Sequence, residues 1–264
     1  MHPRLSVSAV SSWQQDFDRD LALWERLGVG HVGLSLRKCE SVGIERAAQR
    51  IRDAGLRVSN IGECGWCRMD DRAPWRSQQQ RLLDAQQVFD VPFVLTTGPA
   101  GELDWMDAAN AFTEFVQPLR NVAVENTSPL RVDLSFVTTL VDTFTLARLA
   151  GVGACVELNS CWMERAAESS LVTSRGLVTH VQVSDWKIGS LCTPDRRVPG
   201  DGDIPLARLL SFVIASGYEG AFEIEMVGPA IEEEGYERAI ARAITVCDAL
   251  LAKAFADRGD ETLH

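Results

Sequence analysis

Short β-branched runs alternate with longer stretches in which apolar residues return at helical spacing, from one end of the chain to the other. The runs at 5–13, 31–36, 57–65 and 93–98 read as strands, followed by helices at 16–28, 43–55, 74–90 and 104–119. Gly28 and Gly55 stand where the first two helices should stop, Pro74 suits a first helical turn, and Asp104 is an expected cap. The second half repeats the rhythm, with strands at 121–127, 153–160, 178–185 and 220–228 and helices at 134–151, 163–176, 204–217 and 232–254. The stretch 255–264 is expected to fray.

Eight strand–helix pairs at this spacing predict an α/β fold, a closed (β/α)₈ TIM barrel forming one domain over 1–264. No GxGxxG or phosphate-loop signature follows the first strand, which argues against a doubly wound nucleotide-binding sheet. In such barrels reactive groups gather where strands end, so the strand ends are the place to look.

The seventh run, VTHVQVSDW at 178–186, puts His180, Gln182 and Ser184 on one face and Val181 and Val183 on the other. An inward polar face is costly unless its groups bind something or one another. Three other strands end similarly: Glu125 closes the fifth, Glu157 lies late in the sixth and Glu225 late in the eighth. Three carboxylates and an amide oxygen would converge inside the barrel mouth as an all-oxygen set suited to Mn²⁺ or Mg²⁺, with Co²⁺ or Zn²⁺ as alternatives. The competing reading leaves them as separate buried groups satisfied by Arg, Lys or water. His180 and Glu223, two residues before Gln182 and Glu225, share their inward parity and are expected to pair beneath the ligands.

A formal net charge of −11 argues against a nucleic-acid partner, and no apolar run approaches the roughly 18 residues that span a bilayer. With no signal-peptide pattern at the N-terminus, a cytoplasmic protein is the default expectation. Seven cysteines read as reduced thiols; Cys64-Gly-Trp-Cys67 lacks both the directly following helix of a redox motif and the second pair of a zinc site. A homodimer is compatible with a barrel of this size.

VAVENT, GVGACVELNSCW, VTHVQVSDW with RRVPGDGDIPL, and GYEGAFEIEM together resemble the strand-five to strand-eight segments of the xylose isomerase-like TIM-barrel family of sugar isomerases and epimerases. The resemblance implies that Glu125, Glu157, Gln182 and Glu225 ligate one divalent metal and that Glu125 and Glu225 are the catalytic acid/base pair. It implies isomerisation or epimerisation of a small polyhydroxy ketone or sugar through a metal-stabilised enediolate. A dehydratase or lyase on the same scaffold, or a non-catalytic family member, is the alternative. The chain departs from the pattern at Glu157 (an Asp in the family), Gln182 (commonly His, but Gln in the hydroxypyruvate-isomerase branch) and Ser160 (a substrate-binding His). Arg197 in the loop after strand seven, Ser160, and the aromatic walls Trp13 and Trp66 are the expected substrate contacts, with Arg196 read as solvated. Trp105, Trp162 and Trp186 also fall near strand ends, and Asp185 joins His180 and Glu223 as an expected support behind the ligands.

Overall fold

A computed structural model describes residues 1–63, 67–174 and 176–261, with the side chains of 258–261 left aside. Eight parallel strands close in sequential order: β1 Leu5–Ser8, β2 His31–Ser35, β3 Arg57–Glu63, β4 Phe93–Leu95, β5 Val122–Glu125, β6 Gly153–Glu157, β7 Val178–Val183 and β8 Phe222–Ile224. Closure is made by β8 against β1, where Leu5 pairs with Phe222 and Ser6 with Glu223. The chain is therefore the (β/α)₈ barrel expected from its rhythm.

Alternation sorts the strand residues. Val181, Val183, Phe222 and Ile224 join one large apolar core with Leu209, Leu210 and Val213 of α9 (Leu206–Ala215) and Ile240, Ala243 and Cys247 of α11 (Tyr236–Glu261). The opposite parity carries Ser6, Ser8, Gly33, Asn60, His180, Gln182 and Glu223, with Val94, Ala123 and Cys155 as a small apolar group of their own. Burial of the outer parity stabilises the barrel, while the inner parity is left polar and must satisfy itself.

Between strands run α1 (Phe17–Arg26), α2 (Leu36–Val42) with α3 (Ile44–Asp53), α4 (Arg72–Gln86), α5 (Trp105–Val116), α6 (Leu140–Ala150), α7 (Leu158–Cys161) with α8 (Ala167–Thr173), and α9; α10 (Pro229–Glu234) and α11 follow β8. Asp104 accepts from Asp107 N as a cap, and Gly28 and Gly55 follow α1 and α3 at φ 63° and 67°. α4 starts at Arg72, capped by Asp71, so Pro74 falls in its first turn rather than at its start. α6 begins at Leu140, not 134, because 134–139 is held as loop: Ser135 Oγ shares a 2.8 Å hydrogen bond with Thr97 Oγ1.

The tail needs correction. α11 continues to Glu261, beyond the expected end near 254, and Phe255 stacks on His2 at 5.1 Å between ring centroids, docking that turn on the barrel. Residues 262–264 lie outside the described residues. Among the described residues no helix is long and apolar enough to cross a membrane, and the described cysteines are free thiols.

Beside the C-terminal ends of β1 and β2, Lys38 Nζ is buried and donates to Asp20 Oδ2 (2.7 Å), Ala9 O (2.8 Å) and Ser12 O (3.0 Å), so all three ammonium donors are used. This pins α1 and α2 to the turn after β1.

Candidate active site

The register sets the heights of the polar residues. Glu157 of β6 pairs with Gln182 of β7, which pairs with Glu223 of β8, so these three form one inward row. Glu225 stands just past β8, two residues above Glu223, and Glu125 ends β5. Barrel stagger brings their tips together: one ligand atom from each of Glu125, Glu157 and Glu225 lies within 4.8 Å of the others.

Glu157 is fully buried. Its Oε1 accepts from Asn159 N at 3.0 Å, fixing the side chain at the start of α7. Asn126, one residue past Glu125, donates to Glu157 O (3.1 Å) and accepts from Glu157 N (2.8 Å), clamping the ends of β5 and β6 together. Gln182 Nε2 donates to Glu225 Oε2 at 2.8 Å, an oxygen that also accepts from Ser8 Oγ at 3.3 Å.

The lower layer is built as expected from strand parity. His180 Nε2 lies 2.8 Å from Glu223 Oε2, which also accepts from Asn60 Nδ2 (3.3 Å) and Gln182 Nε2 (3.4 Å). Glu223 Oε1 faces Gly33, the one residue type that leaves it room: a Cβ there would lie 1.6 Å from that oxygen.

Arg196 is the residue missing from the expected site. Its guanidinium is not solvated: Nη1 lies 2.7 Å from both Glu157 Oε2 and Glu225 Oε1 and donates to Glu225 O at 3.0 Å. Arg197, the expected substrate contact, instead pairs with Asp195 Oδ2 at 2.9 Å and lines a cavity of about 260 Å³ with Lys187, Val198, Asp201, Ile231 and Glu234. The two side chains part because the backbone of Arg197 is bridged to that of Asp185 in both directions (2.7 and 3.0 Å), while Arg196 N turns to Val227 O at 3.0 Å.

Asp185 also differs from expectation. Its carboxylate accepts four backbone N–H groups, from Trp186 (2.8 Å), Gly200 (2.9 Å), Gly202 (3.1 Å) and Ile204 (3.0 Å), and so folds the loop that carries Arg196 rather than buttressing the ligands directly. Gly202 permits that approach, since a Cβ would lie 2.2 Å from Asp185 Oδ1. Ser160 is half-buried on α7, one turn past Glu157. Trp13 is half-buried after β1 with the Arg37 guanidinium 4.4 Å from its ring centroid. Trp105, Trp162 and Trp186 pack against the core, and Trp66 and Cys64 lie outside the described residues. Cys67 donates to Gln78 Oε1, and burial raises its thiol pKa, opposite to what a redox motif needs.

Electrostatically the mouth is over-supplied with negative charge. Burial, reinforced by Glu225 and Glu157, holds Glu125 well above the usual carboxylate range. Burial raises Glu157 and pushes Glu225 up to about 7, although Arg196 opposes both shifts. Burial disfavours the Arg196 charge, yet Glu157, Glu225 and Glu125 hold its pKa above the ordinary guanidinium value. Glu157 Oε2, Gln182 Oε1 and Glu223 Oε1 are buried acceptors with no hydrogen-bond donor. Such acceptors cost on the order of 1–3 kcal/mol each if left so. The three converging carboxylates of Glu125, Glu157 and Glu225 could hold a metal ion, and the orphaned Gln182 Oε1 is a further oxygen donor near them.

The xylose isomerase-like TIM barrel family model matches residues 21–246. No curated protein matches the sequence significantly. Among solved structures, a protein from Sinorhizobium meliloti 1021 is similar at 18% identity and TM-score 0.84, over 94% of this chain and 98% of that one. The IolI protein with a bound zinc atom is similar at 15% identity and TM-score 0.79, over 95% and 99%. An L-ribulose 3-epimerase is similar at 16% identity and TM-score 0.77, over 98% and 97%. At such identities these likenesses concern the fold; the family match spans most of the chain. With its sequentially closed barrel and its carboxylates at the C-terminal strand ends, the chain belongs to the xylose isomerase-like TIM barrel family.

Proposed function

We propose that this protein is a divalent-metal-dependent isomerase or epimerase of a small polyhydroxy ketone or sugar. The observation that carries the reading is the meeting of Glu125, Glu157 and Glu225 within 4.8 Å at the barrel mouth, beside the orphaned Gln182 Oε1. Several structural neighbours, among them the L-ribulose 3-epimerase and a D-psicose 3-epimerase, support the substrate class.

A bound divalent ion would polarise a carbonyl and its neighbouring hydroxyl, making the proton on the carbon between them easier to remove. The chain supplies the proton carriers. Glu225 is oriented through Oε2 by Gln182 and Ser8, which holds its carboxylate where it can take or return a proton. Glu125 arrives from β5, three strands away around the barrel, and so reaches a substrate in the mouth from a different side. One glutamate removes the proton and the other returns it. Return to the neighbouring carbon gives isomerisation, and return to the opposite face gives epimerisation. The polar layer of His180, Asn60 and Glu223 keeps Gln182, and through it Glu225, in place.

The test is a panel of small ketoses incubated with the protein and Mn²⁺ in D₂O. One solvent deuterium in a product of unchanged formula is expected, and Glu225→Gln should cut the rate by roughly 10²–10⁴-fold while leaving the fold intact. Loss of water from the product would move the assignment to a dehydratase, and an unimpaired rate in Glu225→Gln would remove Glu225 from the mechanism.

A further inference from the structure

Arg196 Nη1 sits between two of the three converging carboxylates, 2.7 Å from Glu157 Oε2 and 2.7 Å from Glu225 Oε1. That nitrogen carries two hydrogens, and both are used on Glu225, by Oε1 (2.7 Å) and the main-chain oxygen (3.0 Å). The 2.7 Å contact to Glu157 Oε2 is therefore one of charge without a directed hydrogen bond, which is why that oxygen is still an orphaned acceptor. The guanidinium neutralises two carboxylates and fully satisfies only one. A divalent ion bonded to the same two oxygens at about 2.1 Å would lie within a few ångströms of Nη1, two cations in a water-poor barrel mouth. They cannot hold the pair together.

The backbone says which part can move. Arg196 N is tied to Val227 O at 3.0 Å. Gly228 packs so closely that an added Cβ would lie 2.9 Å from Asp195 Cα and 3.1 Å from Arg196 N. Asp185 anchors the following turn through Gly200, Gly202 and Ile204. With the main chain fixed on both sides, the flexible side chain is what gives way.

We propose that Arg196 is a tethered counter-cation: it holds Glu157 and Glu225 in the metal-free protein and is expelled from between them when a divalent ion loads. Resting on the metal-dependent reading above, it assigns Arg196 a positioning role. The arginine keeps the carboxylates gathered without a metal and sets how readily one enters.

The test compares EDTA-stripped wild type with Arg196→Met, using Mn²⁺ as the probe. Free Mn²⁺ is followed by electron paramagnetic resonance and unfolding by circular dichroism. With its internal competitor removed, Arg196→Met should bind Mn²⁺ about tenfold or more tightly than wild type, within the usual range for coupled sites. It should melt lower than wild type without metal, and the gap should close at saturating Mn²⁺, where the arginine no longer bonds the carboxylates. A role in packing alone would keep the gap in both states. Equal or weaker binding by Arg196→Met, or a gap that persists with Mn²⁺, overturns the exchange and leaves the metal site standing. Absence of Mn²⁺ binding in both proteins removes the metal reading and this inference together. If Arg196→Met does not fold, Arg196→Gln takes its place, and a crystal structure of Mn²⁺-loaded wild type decides: the guanidinium away from Glu157 and Glu225 supports the exchange, and one still bridging them refutes it.

Discussion

Gly33→Ala perturbs the site from beneath without touching any proposed ligand. The new methyl would lie 1.6 Å from Glu223 Oε1 and 2.7 Å from Asn60 Oδ1. Backbone conformation is no obstacle, since Gly33 is not among the positive-φ glycines. The Glu223 carboxylate cannot simply swing aside, because its Oε2 is held by His180 at 2.8 Å, Asn60 at 3.3 Å and Gln182 at 3.4 Å. Moving it forfeits at least one hydrogen bond to a charged group, about 1.5–3 kcal/mol. Overpacking adds about 1–3 kcal/mol. A total of about 2.5–6 kcal/mol corresponds to a fall in Tm of roughly 5–24 °C for a domain of this size. Urea unfolding of metal-free protein measures it, and the double variant Gly33→Ala/Glu223→Ala supplies the control. Removing the carboxylate that the methyl strikes should make the double variant more stable than the sum of the single losses predicts. A Gly33→Ala protein within about 0.5 kcal/mol of wild type, or strict additivity in the double variant, would refute the placement of Glu223 against β2.

Two further outcomes follow from the loop and from the buried acids. Asp185→Ala leaves the main-chain N–H groups of Trp186, Gly200, Gly202 and Ile204 without their shared acceptor, so trypsin should cut much faster after Lys187, Arg196 and Arg197; unchanged cleavage would show that the loop is held otherwise. Glu225 is raised from an ordinary 4.5 to about 7, so its contribution to metal-free stability is fully present below 4.5 and lost as pH rises through 7. Metal-free Tm should therefore fall more steeply between pH 5 and 8, roughly the window of that shift, in wild type than in Glu225→Gln. Saturating Mn²⁺ should reverse the trend, because ligating carboxylates must lose their protons. Equal slopes in the two metal-free proteins would contradict the shift.

The barrel and most of the site are legible in the chain because strand parity is a local property. Val181 and Val183 must face the helices, so His180 and Gln182 must face the axis, and the same reasoning places Glu157 and Glu223. Arg196 is illegible because it lies in the irregular stretch after β7, where no period says which of two adjacent arginines turns inward; that choice rests on contacts to Val227 and Asp185, distant in sequence or made through the main chain. Asn126 carries a weak signal, sitting one residue past Glu125, but its clamp on Glu157 exists only once β5 and β6 are paired. The short helices α2, α7 and α10 pass unseen for a different reason: segments of four to seven residues show too little of a helical period to register. The continuation of α11 depends on Phe255 finding His2 at the other end of the chain.

The central claim is that Glu157 is a metal ligand on a converging carboxylate site. Glu157→Gln tests it most directly, since the amide keeps the side chain's size and an oxygen to accept from Asn159 N while removing the charge. Calorimetric titration of metal-stripped protein with Mn²⁺ should give one ion per chain for wild type and an affinity at least roughly 10–100-fold weaker for Glu157→Gln, since changes even to the groups behind a metal ligand cost that much. Undiminished affinity in Glu157→Gln, with its fold intact by circular dichroism, would contradict it.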